Sequence, residues 1–158
     1  VALGEYQRQP TERTRAVVAE FQRCGIDVRP AENLEEARWR KLVWNVPFNG
    51  LAIAAGGIDV SVILSNESLR LLARELMSEI IGIAGRLGFE IPLTFIEKQM
   101  RATVPMGAYR PSSLLDYLDD RPVEVEAIWG EAYRRGLAAG SEVAHLETLY
   151  HLLKVLCV

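Results

Sequence analysis

A chain of 158 residues, 49% apolar and 25% charged, has the length and composition of one soluble globular domain, or of one domain plus a fragment of another. Its net charge of −3 makes no broad electrostatic case for nucleic acid or an anionic membrane. No run approaches the roughly 18 consecutive apolar residues of a membrane span. The cations are mostly arginine, with lysine only at Lys41, Lys98 and Lys154. Cys24 and Cys157 lack metal-ligand spacing and read as two reduced thiols of a cytoplasmic protein. No signal peptide is visible, and the opening "VALGEYQ" has no initiator Met, so the chain reads as a piece of something longer.

In chain order, "VALGEY" reads as a short strand. Pro10-Thr11 starts a helix with Val17, Val18 and Phe21 on one face, ended by Gly25, and "IDVRP" is a second extended piece cut off by Pro30. Strand, helix and strand in so short a span make a β-α-β fragment, too small to form a parallel sheet alone. Residues 1–30 therefore read as the tail of an α/β domain and its linker, and residues 31–158 as an all-helical domain. "NLEE" is a capping box, with Asn33 as N-cap and Glu36 at the third helical position, and its helix runs to Gly56-Gly57. A second long helix follows Ser65, carrying Leu69, Leu72, Leu76, Ile80, Ile83 and Leu87 at steps of three and four, and stops at Gly88. It is apolar round much of its circumference, as a central or interface-forming helix would be. Pro92 opens a shorter helix to about Thr103. The loop "VPMGAYRP" leads to Ser112, an expected N-cap for "SLLDYL". A helix after Arg121-Pro122 runs to about Leu137, and a last one starts at Ser141.

The first long helix raises the functional question. Steps of four place Lys41, Asn45 and Asn49 along one stripe about 12 Å long, drifting roughly 80° over two steps. That is the scale of a small organic acid. Asn is a poor helix former, and Pro47 removes a backbone bond and is expected to kink the helix near the asparagines. By spacing alone the stripe is either a solvated face or one wall of a site. Glu124 just after Pro122 sits in a first helical turn, where the helix dipole favours a carboxylate. Asp116, Asp119 and Asp120 read as a solvating run with nothing to complete a metal site. His145 and His151, six apart, face different directions and suit surface or capping roles. The chain has no GxSxG, CxxC or HExxH motif and no glycine-rich phosphate loop.

Three pieces in order resemble the C-terminal helical domain of the ketopantoate reductase (2-dehydropantoate 2-reductase) family. "RWRKLVWNVPFNGLAI" is similar to the family's K-L-x-x-N-x-x-x-N-x-L element. "PSSLLDYLDDRPVEVEAI" is similar to its P-S-M-L-Q-D…R-P-T-E-I-D-A element, with the same interval from Ser112 to Glu124. "GSEVAHLETLYHLLK" is similar to the closing element ending in L-Y-x-L-x-K, and the opening "LGE…FQRCGIDVRPAENLEEARW" to the segment joining the nucleotide-binding domain to this one. The resemblance implies a mainly α, multi-helix domain of the 6-phosphogluconate-dehydrogenase-like type, preceded by a β-α-β remnant of a Rossmann domain. It further implies NADPH-linked reduction of 2-dehydropantoate to pantoate, in pantothenate and coenzyme A synthesis. Position by position, Lys41 matches the proton donor, and Asn45, Asn49 and Ser112 match substrate-contacting groups. Glu124 matches a carboxylate near the cofactor that orients the lysine or the substrate in the alternative. The implied partners are a 2-oxo acid, NADPH held mainly by the chain's own N-terminal Rossmann domain, and a second copy through the helical domain.

Ser113 and Leu115 stand where the motif has Met and Gln, and Val123 where it has Thr. The Rossmann G-x-G-x-x-G fingerprint is missing, so this piece alone is expected neither to bind NADPH tightly nor to turn over. Two other readings stand beside the first: a related reductase for another 2-oxo acid, and a non-catalytic helical dimerisation or binding module.

Overall fold

Short extended segments and helix caps organise the start of the chain as their pattern predicts. The computed structural model describes residues 1–6 and 8–157, which group into two compact units, Val1–Lys41 and Leu42–Val158. In the first unit, β1 (Ala2–Leu3) and β2 (Arg29–Pro30) pair in parallel, Ala2 opposite Arg29 and Leu3 opposite Pro30, with α1 (Glu12–Arg23) between them. Thr11 caps α1 in a reciprocal box: Thr14 N donates to Thr11 Oγ1 (3.4 Å), and Thr11 N donates to Thr14 Oγ1 (3.1 Å). Of the three apolar residues assigned to one face of α1, only Val18 is buried, while Val17 and Phe21 are exposed. Two strands of two residues offer too little surface to cover a full helical stripe.

The long helix α2 (Leu34–Ala54) starts where Asn33 places it, since Asn33 Oδ1 accepts from Glu35 N (3.0 Å) and Glu36 N (3.1 Å). Glu36 directs its carboxylate to Arg40 Nε (2.8 Å), one turn on, instead of back to the cap. The helix continues through Pro47 as one element. Beyond Ala54 the backbone turns at Gly56, whose φ of +94° suits a residue without a side chain.

The second unit is helical. After α2 come α3 (Val60–Ser65), α4 (Glu67–Arg86), α5 (Thr94–Thr103) with a 3-10 turn at Val104–Met106, and α6 (Ser112–Leu118). A π-helical turn at Glu126–Gly130, α7 (Glu131–Ala138) and α8 (Ala144–Leu156) complete it. The helix α3 has no counterpart in the sequence reading because "VSVILS" is rich in β-branched residues. Its start is fixed by Asp59, which accepts from Ser61 N (2.9 Å) and Val62 N (3.2 Å). The centre is α4, which packs on α3, α5, α7 and α8 and buries Ala73, Leu76, Met77, Ile80, Ile81, Ile83 and Ala84. The last helix starts at Ala144 rather than Ser141 because its cap is not local. Glu79 of α4 accepts from His145 N (2.9 Å) and Leu146 N (2.8 Å), and from the His145 ring at Nδ1 in its protonated tautomer (2.8 Å).

Both cysteines are free thiols, with Cys24 exposed. Among the described residues, no group of acidic, His or Cys side chains could hold a metal. No helix there is long and apolar enough to cross a membrane.

Candidate functional site

Within the second unit, α2 anchors three segments far away in sequence. The first anchor is Asn49, a polar side chain only 2% exposed. Its Nδ2 donates to Asn45 O (3.1 Å), and its Oδ1 accepts from Ser113 N (3.1 Å). The N-cap position of α6 belongs to Pro111, whose side chain has no acceptor for the orphan amides of the first turn. Asn49 supplies that acceptor from another helix. Ser112 is therefore the first residue of α6 and exposed, rather than its N-cap. The sequence reading missed this because the cap is 64 residues away in the chain.

The second anchor is the backbone of α2 at Val46, whose carbonyl accepts from Trp129 Nε1 (2.9 Å) in the π-helical turn. The approach is close because residue 50 is glycine. A Cβ there would lie 2.8 Å from Trp129 Nε1 and 2.7 Å from Leu149 Cδ2. A third link, Trp44 Nε1 donating to Thr103 Oγ1 (2.8 Å), ties α2 to the end of α5.

These anchors leave the candidate residues in different states. Lys41 is exposed, on the same helix one turn before Asn45, which is half-buried. The Asn45 backbone, Asn49 and the start of α6 are joined by direct hydrogen bonds. Glu124 is exposed and lies just before the π-helical turn, its carbonyl accepting from Ile128 N (3.0 Å). It lines an open depression with Val123, Val125, Glu126, Ala127, Lys154 and Cys157. Turns of this kind, where an extra residue widens the helix, recur at functional positions.

Glu126 steadies that turn. Its Oε2 accepts from Arg134 Nη1 (2.7 Å) and its Oε1 from Tyr150 OH (2.7 Å). The Arg134 guanidinium, and after it the Tyr150 hydroxyl, hold its carboxyl below the usual range. Gly130 makes room for this clamp, since a Cβ there would lie 2.6 Å from Glu126 Oε2. Burial pushes the Cys157 thiol up, which keeps it protonated and a poor nucleophile. The acidic run at the end of α6 is ion-paired: Arg121 reaches Asp116 Oδ1 (2.9 Å) and Asp119 Oδ2 (3.1 Å). In sum the second unit carries a neutral amide at half-buried Asn45, a hydroxyl at exposed Ser112 and an exposed carboxylate at Glu124. These are the groups that orient a small polar ligand without adding positive charge.

Known proteins share this architecture. Residues 33–156 match the family model described as "Ketopantoate reductase PanE/ApbA C terminal". A curated 2-dehydropantoate 2-reductase of Nostoc sp. is 35% identical over 99% of this chain and 50% of its own length. The crystal structure of 2-dehydropantoate 2-reductase from Methylococcus capsulatus superposes with a TM-score of 0.92 at 37% identity, over 98% of this chain and 53% of that one. The corresponding structure from Geobacter metallireducens gives 0.92 at 35% identity, over 98% and 52%. The chain thus spans about half the length of the relatives it matches. With most of its residues matched by the family model and its fold shared with these structures, the chain belongs to the family of ketopantoate reductase C-terminal domains.

Proposed function

We propose that this chain is the substrate-binding half of an NADPH-dependent reductase that converts 2-dehydropantoate to pantoate, a step toward pantothenate. The observation that carries the reading is the Asn49 bridge. It holds the start of α6, with Ser112 exposed, against the α2 segment that bears Asn45. A neutral amide and a hydroxyl on two segments tied together suit the carboxylate and oxo oxygen of such an acid. In this reading Asn45 and Ser112 contact the substrate, and buried Asn49, expected from the sequence to contact it too, acts by fixing α6.

Lys41 supplies the proton. NADPH, when bound, would supply the hydride that reduces the carbonyl carbon. The oxygen takes the electron pair of the C=O π bond, and the Lys41 ammonium protonates it as the negative charge develops. The chain has no glycine-rich phosphate loop, so it fits only the edge of the cofactor. Glu124 is an exposed acceptor, suited to ribose hydroxyls and unsuited to phosphates. The dinucleotide-binding half of the same polypeptide would hold the rest, and pairing of two copies through the helical domain belongs to the same reading.

The test is NADPH oxidation by the two-domain protein against a panel of 2-oxo acids. Turnover of 2-dehydropantoate is expected, with Lys41→Ala lowering kcat by about a hundred-fold or more, the lower range for a lost general acid. Unchanged kcat in Lys41→Ala sinks the assignment of Lys41. Absence of turnover with every acid sinks the whole reading.

A further inference from the structure

Beside the polar residues of α2 lies an aromatic surface that the chemistry above does not use. Trp44 immediately precedes Asn45. Its ring stacks on buried Phe48 (centroids 5.0 Å apart), and its indole nitrogen is held by the buried Thr103 hydroxyl. Tyr109 also packs against Trp44, with centroids 6.3 Å apart and planes tilted by 56°. Tyr109 is nevertheless 46% exposed.

The segment carrying Tyr109 is fixed along α2 at both ends. At one end Tyr109 meets Trp44, and at the other Ser113 N binds Asn49 Oδ1. Asn45 lies between Trp44 and Asn49 on the helix, and Ser112 lies between Tyr109 and Ser113 in the chain, at the start of α6. A third tie holds the loop backbone, because the Tyr109 carbonyl accepts from Val60 N (3.0 Å) at the start of α3. Arg110 acts on Asp59, whose carboxyl is lowered first by the Ser61 hydroxyl and to a lesser degree by that guanidinium. Tyr109 thus has a tethered backbone and a ring that packs on the Trp44 indole.

A rigid, half-open aromatic surface next to a few polar groups is the composition of a small-molecule site, in which the apolar wall selects and the polar groups orient. Aromatic faces offer methyl groups dispersion contact and no competing hydrogen bond. We propose that Trp44 and Tyr109 form the specificity wall for the substituent on the carbon next to the oxo carbon. The wall selects 2-oxo acids that carry branched apolar bulk there, such as the two methyl groups of 2-dehydropantoate, over pyruvate. This rests on the reductase reading and adds a determinant to it.

The experiment compares kcat/KM for 2-dehydropantoate and for pyruvate in the two-domain protein and in its Tyr109→Ala and Tyr109→Phe variants. Hydrophobic pockets discriminate about ten-fold or more per methyl-sized contact. The 2-dehydropantoate-to-pyruvate ratio is therefore expected to fall about ten-fold or more in Tyr109→Ala and to be retained in Tyr109→Phe. A general loss of packing would lower both substrates together and leave the ratio alone. If the unsubstituted protein reduces 2-dehydropantoate but Tyr109→Ala keeps the ratio, the wall is refuted while the reductase reading stands. If the unsubstituted protein reduces no 2-oxo acid, both fall.

Discussion

The two units are held by different physics. In the first, α1 buries one large aliphatic side chain, Val18, and is tied to the segment after β1 by polar bonds near water. Glu5 accepts from the Thr14 hydroxyl (2.7 Å), the Thr11 hydroxyl (2.9 Å) and Arg13 Nη2 (2.7 Å). In the second, the long-range ties of α2 are neutral and sit among well-packed side chains: Trp129 to Val46, Asn49 to Ser113, and Trp44 to Thr103. Charge-assisted bonds at a surface depend on pH and salt, whereas buried neutral bonds depend on shape and on leaving no partner orphaned. The polar residues proposed to meet a substrate are therefore held in register by ties that ordinary changes in solvent do not loosen.

The largest test of that contrast is Gly50→Ala. The new Cβ would lie 2.7 Å from Leu149 Cδ2, the end of a flexible side chain that can turn away. It would also lie 2.8 Å from Trp129 Nε1, part of a rigid, fully buried ring that is already bonded to Val46. Overpacking of this kind costs about 1–3 kcal/mol. Alanine in a helix returns roughly 0.5–1 kcal/mol relative to glycine. The clash wins, and urea unfolding followed by tryptophan fluorescence is expected to show a loss of about 1–2 kcal/mol. A stability equal to or above that of the parent would mean that the Trp129 approach is not tight.

Asn49→Ala comes next. It removes the acceptor of the buried Ser113 N–H, and an orphaned buried donor costs about 1–3 kcal/mol. Alanine is the better helix former by up to roughly 0.7 kcal/mol, so the net loss is about 1 kcal/mol. The distinguishing readout is local: amide exchange in the first turn of α6 should quicken more than exchange in α4. Equal acceleration in both helices would argue that Asn49 serves the unit as a whole and not α6.

These ties explain what the sequence could and could not reveal. Elements with local signals were legible: Pro10-Thr11 as a helix start, Asn33 as a cap, the glycines that end helices, and the three- and four-residue steps of α4. So was the stripe of Lys41, Asn45 and Asn49, since it needs only the helical repeat. The cap of α6 was misplaced by one residue because its acceptor comes from α2, and the start of α8 by three because its cap is Glu79 of α4. The π-helical turn depends on the Glu126 clamp and on Trp129 reaching Val46, contacts with no local pattern to announce them. Tyr109 read as one residue of a loop, and only its packing on Trp44 singles it out. Local propensity placed most of the elements, and tertiary hydrogen bonds set the starts of α6 and α8.

The smallest effect is expected from acid, and it should fall on the first unit. The hydroxyls and guanidinium around Glu5, with Thr14 first and Arg13 next, bring its pKa down from 4.5 to about 2. A carboxyl whose pKa is lower folded than unfolded binds its proton less readily in the folded state. Its contribution to stability is therefore complete above about pH 4.5, and is lost as the pH falls from there toward 2. Arg13 is largely solvated, so salt screens its part of the attraction, and the effect should shrink as ionic strength rises. The measurement is a carboxyl-detected titration of Glu5 alongside exchange of the α1 amides, with Glu5→Gln as the control. The variant is expected to lose this pH dependence in α1 between about pH 4.5 and 2. A Glu5 midpoint at the ordinary carboxylate value would break the contrast, because the first unit would then lack the charged tie on which the comparison depends.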